Sequence, residues 1–253
     1  LLNRFFFQNS AYALKSLDVD LDGTMSRNDF LKKTGIHEGV NIFSINLANA
    51  EANLNKDPRV SSVHIERTLP DKVEIQITQR RPVAWISMGS DTFSPENAYL
   101  VGMDGILMKP KTTAPEYLSL PVIKGMEVES LREGERPNLP ILLSALELIE
   151  KNNMAPGSIL KIRTMDVSKK YCMEVMNDQN ALLTFGLADI DGQLARLNLL
   201  LTHCRETNRQ IESINLMVHR NTPVRFVMTE APSPAKNPTP AIRSTSSKST
   251  RVQ

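Results

Sequence analysis

Cysteine is almost absent from this chain. Only Cys172 and Cys204 occur in 253 residues. One bridge at most is possible, so a disulfide framework is excluded. Without nearby histidine pairs they also make a poor metal site. Two unpaired, buried thiols are the favoured reading, since free cysteine is among the most buried residue types, and pairing is a matter of geometry. Histidine is equally scarce: His37, His64, His203 and His219 lie far apart, without ligand spacing. Aromatics make up 5% of the chain, with one tryptophan, Trp85. Net charge is only +2, which excludes a polyanion binder by charge alone. No apolar run reaches the roughly 20 residues that cross a bilayer. There is no glycine-rich phosphate loop and no nucleophile elbow. No motif here points to an active site, a cofactor or nucleic acid.

What is present is core-forming material. Hydrophobic residues make up 41% of the chain, and 253 residues suffice for two ordinary domains or one large one. Between Ser16 and Trp85 the pattern spells strand, helix, helix, strand, strand. Leu17, Val19 and Leu21 alternate with Ser16, Asp18 and Asp20, the period of a half-buried strand. Ser26 precedes Asp29 at capping-box spacing, and Gly35 is the expected helix stop. Leu47, Ala50 and Leu54 share a helical face behind a cap at Asn46, and Pro58 ends that helix. Val63 and Ile65, then Val73, Ile75 and Ile77, alternate on either side of a Leu69-Pro70-Asp71 turn.

Asp18, Asp20, Asp22 and Gly23 also match the first half of an EF-hand loop, with Asp29 at its twelfth position. A calcium loop would destroy the buried face that Leu17, Val19 and Leu21 require, so the strand reading is preferred. Arg80 and Arg81 offer a phosphate contact, and the plainer expectation is a strand end with solvated charges.

A second region starts near Trp85. Leu100–Met108 reads as a hairpin turning at Asp104-Gly105. Leu120–Gly125 is a further short strand. Asn138 is the expected cap of a helix with Pro140 in its first turn and Leu139, Leu142, Leu143, Leu146 and Ile149 as its buried stripe. Strands are expected around Leu160–Val167, Tyr171–Met176 and Ala181–Phe185, followed by a helix over Asp189–Glu206 with Ile190, Leu194, Leu197, Leu201 and Cys204 on one face. The last pair is Ile211–Val218 and Pro223–Met228, joined at His219–Thr222. After Thr229 the chain is proline, serine, threonine, lysine and arginine, a composition expected to be disordered. At the other end, Leu1, Leu2, Phe5, Phe6 and Phe7 surround Arg4, which reads either as a membrane-proximal segment or as an apolar stretch packed on the first domain.

In order, Gly39-Val40-Asn41-Ile42-Phe43, Asp57-Pro58-Arg59-Val60, Arg67-Thr68-Leu69-Pro70-Asp71 and Gln79-Arg80-Arg81-Pro82-Val83-Ala84 resemble the POTRA domain of the bacterial division family FtsQ/DivIB. More loosely, Leu100–Gly105, Leu120–Gly125, Leu183–Gly186 and Ile214-Asn215-Leu216 resemble the family's second domain. The resemblance implies an α+β chain: a membrane-proximal segment at 1–13, a POTRA domain (β-α-α-β-β) at 14–86, a second α+β domain with a mostly antiparallel sheet at 87–230, and a tail at 231–253. It further implies a non-enzymatic scaffold without cofactors. Such a scaffold is held in the inner membrane by an N-terminal helix outside this sequence. Its bulk lies outside the cytoplasm, and it recruits division proteins such as the FtsB–FtsL coiled coil to the septum. Where the family usually has D-L-R followed by an aromatic, this chain has Asn215-Leu216-Met217 and Val218.

Two other readings compete: an outer-membrane assembly or secretion component using POTRA for client binding, and a calcium-binding extracellular module. For the division reading, partner docking is expected on the edge of the last strand. The residues concerned are Pro223, Val224, Arg225, Phe226, Val227 and Met228, with Met217, Val218 and Arg220 from the strand before. A terminal strand offers an unpaired row of N–H and C=O groups, Pro223 suits its start, and Phe226 is the expected anchor.

Overall fold

The computed structural model describes residues 6–7, 9–22, 26–89, 93–110, 115–127, 129, 131–155, 157 and 160–227, without the Phe30 side chain. Gly23, Met228 and the expected disordered tail lie outside these residues.

The first unit begins with β1 (Ser16–Asp22), α1 (Arg27–Thr34) and α2 (Leu47–Asn55), then β2 (Val60–Thr68) and β3 (Lys72–Gln79). Its three-stranded sheet has the order β1-β3-β2. β1 runs parallel to β3, which the two intervening helices allow, and β2 pairs antiparallel with β3 across the Leu69–Asp71 turn. Side-chain alternation sends Leu17, Ile65, Val73, Ile75 and Ile77 to one face, where they meet Ala50 and Leu54 of α2. Ser26 caps α1, but its hydroxyl accepts from the N–H of Asn28, 3.3 Å away, rather than from Asp29. Gly35 ends the helix at φ +66, a left-handed conformation that glycine adopts without steric cost. Asn46 caps α2 through the N–H of Asn49, 3.0 Å away.

The second unit is a nine-stranded sheet of order β12-β11-β10-β9-β8-β7-β4-β5-β6. Its strands are β4 (Pro82–Ser87), β5 (Ala98–Gly102), β6 (Leu107–Met108), β7 (Val122–Lys124), β8 (Ile162–Asp166), β9 (Cys172–Asn177), β10 (Leu182–Gly186), β11 (Ile211–Asn215) and β12 (Val224–Phe226). Antiparallel pairs predominate. β7–β8 and β10–β11 are parallel, each bridged by a long crossover helix, and β4–β7 is parallel as well. The crossover helices are α3 (Pro140–Met154) and α4 (Ile190–Glu206). Their stripes, Leu142, Leu146 and Ile149 on one and Leu194, Leu197 and Leu201 on the other, cover one face of the sheet. On the opposite face Trp85, Ala98, Leu100 and Met108 form a separate cluster, and the Trp85 indole donates to the Tyr117 carbonyl at 2.6 Å.

Several sequence expectations change. Leu139, not Asn138, occupies the cap position of α3, and no side chain bonds there. Pro140 sits in the first turn and lacks one of the N–H groups a cap would serve. Leu143 is exposed, and Ala145 and Leu148 fill the buried face instead. β4 belongs to the nine-stranded sheet, although the expected division assigns residues up to 86 to the first domain. The cysteines stand as expected: Cys172 and Cys204 are separate buried thiols, and burial pushes both above the ordinary thiol range.

Arg80 joins the two units. Its backbone N–H donates to the Arg59 carbonyl at 2.7 Å, and its guanidinium bonds the Pro58 carbonyl and, at 2.7 Å, the Asp104 carboxylate in the β5–β6 turn. Its side chain lies across Gly102, where an added Cβ would sit 2.8 Å from Arg80 Cδ. The sequence suggests a solvated charge here; the side chain is instead 10% exposed. Arg81, beside it, is the solvated one and faces Asp22 at 3.2 Å.

Candidate functional site

β12 ends the large sheet, and its inner side pairs antiparallel with β11 in the register Ile214↔Val224, Ser213↔Arg225 and Ile211↔Phe226. The N–H of Asn215 donates to the Pro223 carbonyl at 3.1 Å, and the N–H of Val227 to the Gln210 carbonyl at 2.9 Å. Residues 223 and 227 therefore turn their backbone groups inward. Antiparallel alternation then turns the N–H and C=O of Val224 and Phe226 outward, and among the described residues no strand lies on that side.

Side chains alternate the other way. Val224 and Phe226 lean on the large core, and the Arg209 guanidinium sits 5.4 Å from the Phe226 ring centroid. Phe226, the expected anchor, thus has its ring half-buried within this chain. Arg225 and Val227 point to the opposite face and are exposed. Met217, Val218 and Arg220 are not on a strand, because β11 ends at Asn215; they sit in the exposed loop that leads to β12. Pro223 immediately precedes the strand, and Met228 lies outside the described residues.

The loop is held from within. Asn215 Oδ1 accepts from the Met217 N–H at 3.1 Å, a local turn that an asparagine side chain readily forms. Arg196 of α4 donates to the Leu216 carbonyl at 3.0 Å and lies 3.6 Å from Asp189, which also faces His219 at 3.8 Å. Asp189 caps α4 in a left-handed conformation, φ +55. Gln193, buried, accepts from the Gly186 N–H at 2.8 Å and donates to the Ala188 carbonyl at 2.6 Å. Nothing in the sequence pattern singles out Arg196 or Gln193; only the crossover brings them under the loop.

The carboxylates of the EF-hand pattern do not converge. Asp18, Asp20 and Asp22 stand exposed along the extended β1. Asp18 pairs with Lys72 at 2.8 Å. Among the described residues no group of three or more metal-ligating side chains forms, and no helix is long and apolar enough to cross a membrane.

A β-α-α-β-β unit followed by a large mixed sheet defines a POTRA-containing protein. The comparisons specify which. Residues 13–80 match the FtsQ-type POTRA domain, and residues 93–217 match the C-terminal domain of cell division protein FtsQ/DivIB. The chain is 30% identical to cell division protein FtsQ of Geotalea daltonii over 138 residues, 54% of this chain and 47% of that protein. It is 28% identical to FtsQ of Koribacter versatilis over 90% of this chain and 63% of that protein. To DivIB of Clostridium acetobutylicum it is 24% identical over 65% of this chain and 63% of that protein. The chain belongs to the FtsQ/DivIB family of cell division proteins. The matched stretches thus span between about half and just under two thirds of these relatives' lengths.

Proposed function

We propose that this chain is a non-enzymatic scaffold of the division machinery, and that it binds an extended segment of a partner along the outer side of β12. The observation that carries the reading is the outward row of Val224 and Phe226 backbone groups at the end of the nine-stranded sheet. An incoming strand completes those hydrogen bonds, and Arg225, Val227, Met217 and Val218 offer side-chain contacts beside it. Family membership supports a division protein as partner, and the FtsB–FtsL coiled coil is the candidate. It also supports septal placement, with an inner-membrane helix preceding this segment and the two units outside the cytoplasm. Within that reading the POTRA unit starts near residue 14, the junction falls at Arg80-Arg81, and the second unit runs to the end of β12. A secretion or outer-membrane assembly role is disfavoured by the second match, to the FtsQ/DivIB C-terminal domain.

The register fixes the test. Proline at 227 would break the inner bond to Gln210 and unsettle β12 itself. Proline at 224 removes an outward N–H and leaves the inner ladder intact. In a pull-down with the FtsB–FtsL coiled coil, Val224→Pro should lose at least about tenfold in affinity, the worth of one backbone hydrogen bond with its register. Val224→Ala, which keeps that N–H, should stay close to wild type. Equal binding by a folded Val224→Pro variant would remove this edge as the docking site.

A further inference from the structure

We propose that the basic stretch Ile242–Gln253 of this same chain binds along the outer edge of β1 in the POTRA unit. β1 is an end strand of the small sheet, and among the described residues no strand lies on its outer side. The Ser16 N–H points inward, to the Asp71 carbonyl at 3.2 Å, so alternation turns the backbone groups of Leu17, Val19 and Leu21 outward. The Leu17 carbonyl accepts from the Arg27 guanidinium at 3.0 Å, which agrees with that direction and covers one end of the edge. Among the described residues the backbone groups of Val19 and Leu21 stay open to an added strand.

The charge on this edge is of one sign. Asp18, Asp20 and Asp22 lie on the uncovered face of the sheet, where the register sets Asp18 beside Glu74 and Glu74 beside Glu66. Like charges directly opposite one another are destabilising. Lys72 bridges Asp18 and Glu74 at 2.8 and 2.9 Å, but among the described residues Asp20 has no ion-pair partner. An extended segment with lysine and arginine and no acid complements both the open backbone and the carboxylates.

The chain itself contains such a segment outside the described residues. From Ala231 to Gln253 it holds Lys236, Arg243, Lys248 and Arg251 and no aspartate or glutamate. Pro232, Pro234, Pro238 and Pro240 withhold N–H groups, which disfavours a ladder between the first part and nearby β12. Ile242–Gln253 has no proline, and Arg243 and Arg251 fall on one face of an extended strand. The reach suffices. β12 and β4 are six strand spacings apart, about 29 Å in all. Arg81, just before β4, faces Asp22 of β1 at 3.2 Å. The 14 residues from Met228 to Ala241 span up to about 46 Å when extended. Exposed ion pairs are individually weak, and the tether offsets this by raising the effective concentration toward the millimolar range.

The test uses the full chain with a nitroxide on Ser246→Cys; Cys172 and Cys204 are buried and label slowly. At low salt the label should broaden the amide signals of Val19 and Leu21 at least about threefold more than those of Val63 and Ile65 on β2, the opposite edge. The contrast should vanish in about 0.5 M salt, in Arg243→Ser/Lys248→Ser/Arg251→Ser, and in Asp18→Asn/Asp20→Asn/Asp22→Asn folded by circular dichroism. Equal broadening of both edges, or a contrast that persists under any of these three conditions, overturns the proposal. So does a contrast that appears when isotope-labelled chain is mixed with spin-labelled chain of natural isotopes, since that gives the edge to a second copy. The measurement needs no division partner, so it stands or falls separately from docking at β12.

Discussion

The two sheets of this protein differ in how many faces they bury, and the difference is written along their strands. In the small sheet, β1 and β3 alternate buried and exposed positions, because helices cover one face and water the other. In the large sheet, all five residues of β5 are buried, as are the last four of β4. Ala84 and Ile86 face the helix-covered core, while Trp85 faces the second cluster behind the sheet. Period-2 alternation therefore marks a sheet wet on one side. An unbroken apolar run such as Ala98–Val101 marks one that is dry on both. The small unit adds to its one-sided apolar core a buried ion cluster at the Arg80 end. The Asp57 side chain is 4% exposed, and it is bonded by Arg59 at 2.7 and 3.0 Å and by Lys33.

The strongest test of this contrast is Trp85→Ala. Emptying the second cluster should cost about 4 kcal/mol in the large unit. Hydrogen exchange should show the loss in β4, β5 and β7 while β1–β3 keep their protection. Equal loss in both sheets would mean that the units unfold as one.

Asp57→Ala should act on the other unit, at about 3 kcal/mol, because it leaves Arg59 and Lys33 facing a partly buried void. Its pH dependence follows from the same contacts. Burial works against the charge, but the hydrogen bonds from Arg59 and Lys33 outweigh it and hold the Asp57 carboxyl well below the usual carboxylate range. Its folded pKa thus lies below the unfolded value of about 3.9. The stability it contributes is present above that value and is lost as pH falls toward the folded pKa. Acid titration of unfolding should therefore weaken the small unit, and Asp57→Asn should flatten that dependence below pH ~4.

The smallest expected effect concerns the joint. Arg80→Ala removes two charge-assisted hydrogen bonds, to Pro58 and Asp104, each worth about 1.5 kcal/mol when satisfied. Each unit should keep its own stability to within that amount, while a two-probe denaturation separates the two transitions. Transitions that stay coincident would show that the units are coupled through contacts other than Arg80.

Much of the element order was legible in advance because local rules governed it. The alternation at Leu17–Leu21, the left-handed stop at Gly35, the Asp104-Gly105 turn and the α4 stripe all depend on residues within a few positions of one another. Leu143 misled for the opposite reason: helical spacing puts it beside the stripe, and only the packing of α3 on the sheet decides which flank is covered. Met217 and Val218 likewise look like a strand continuing, yet the parallel pairing of β11 with β10 covers only Ser213–Asn215.

By itself, then, the sequence determined the element types, the POTRA-like order of the first unit and the scarcity of chemistry-bearing motifs, since periodicity, caps and breakers act over short range. Tertiary structure alone decided which edge stays open among the described residues, that Phe226 leans inward, that Arg80 is a joint rather than a solvated charge, and that Arg196 supports the loop between β11 and β12. Those outcomes depend on strand order and crossovers between residues far apart in the chain, and no local pattern encodes such distances.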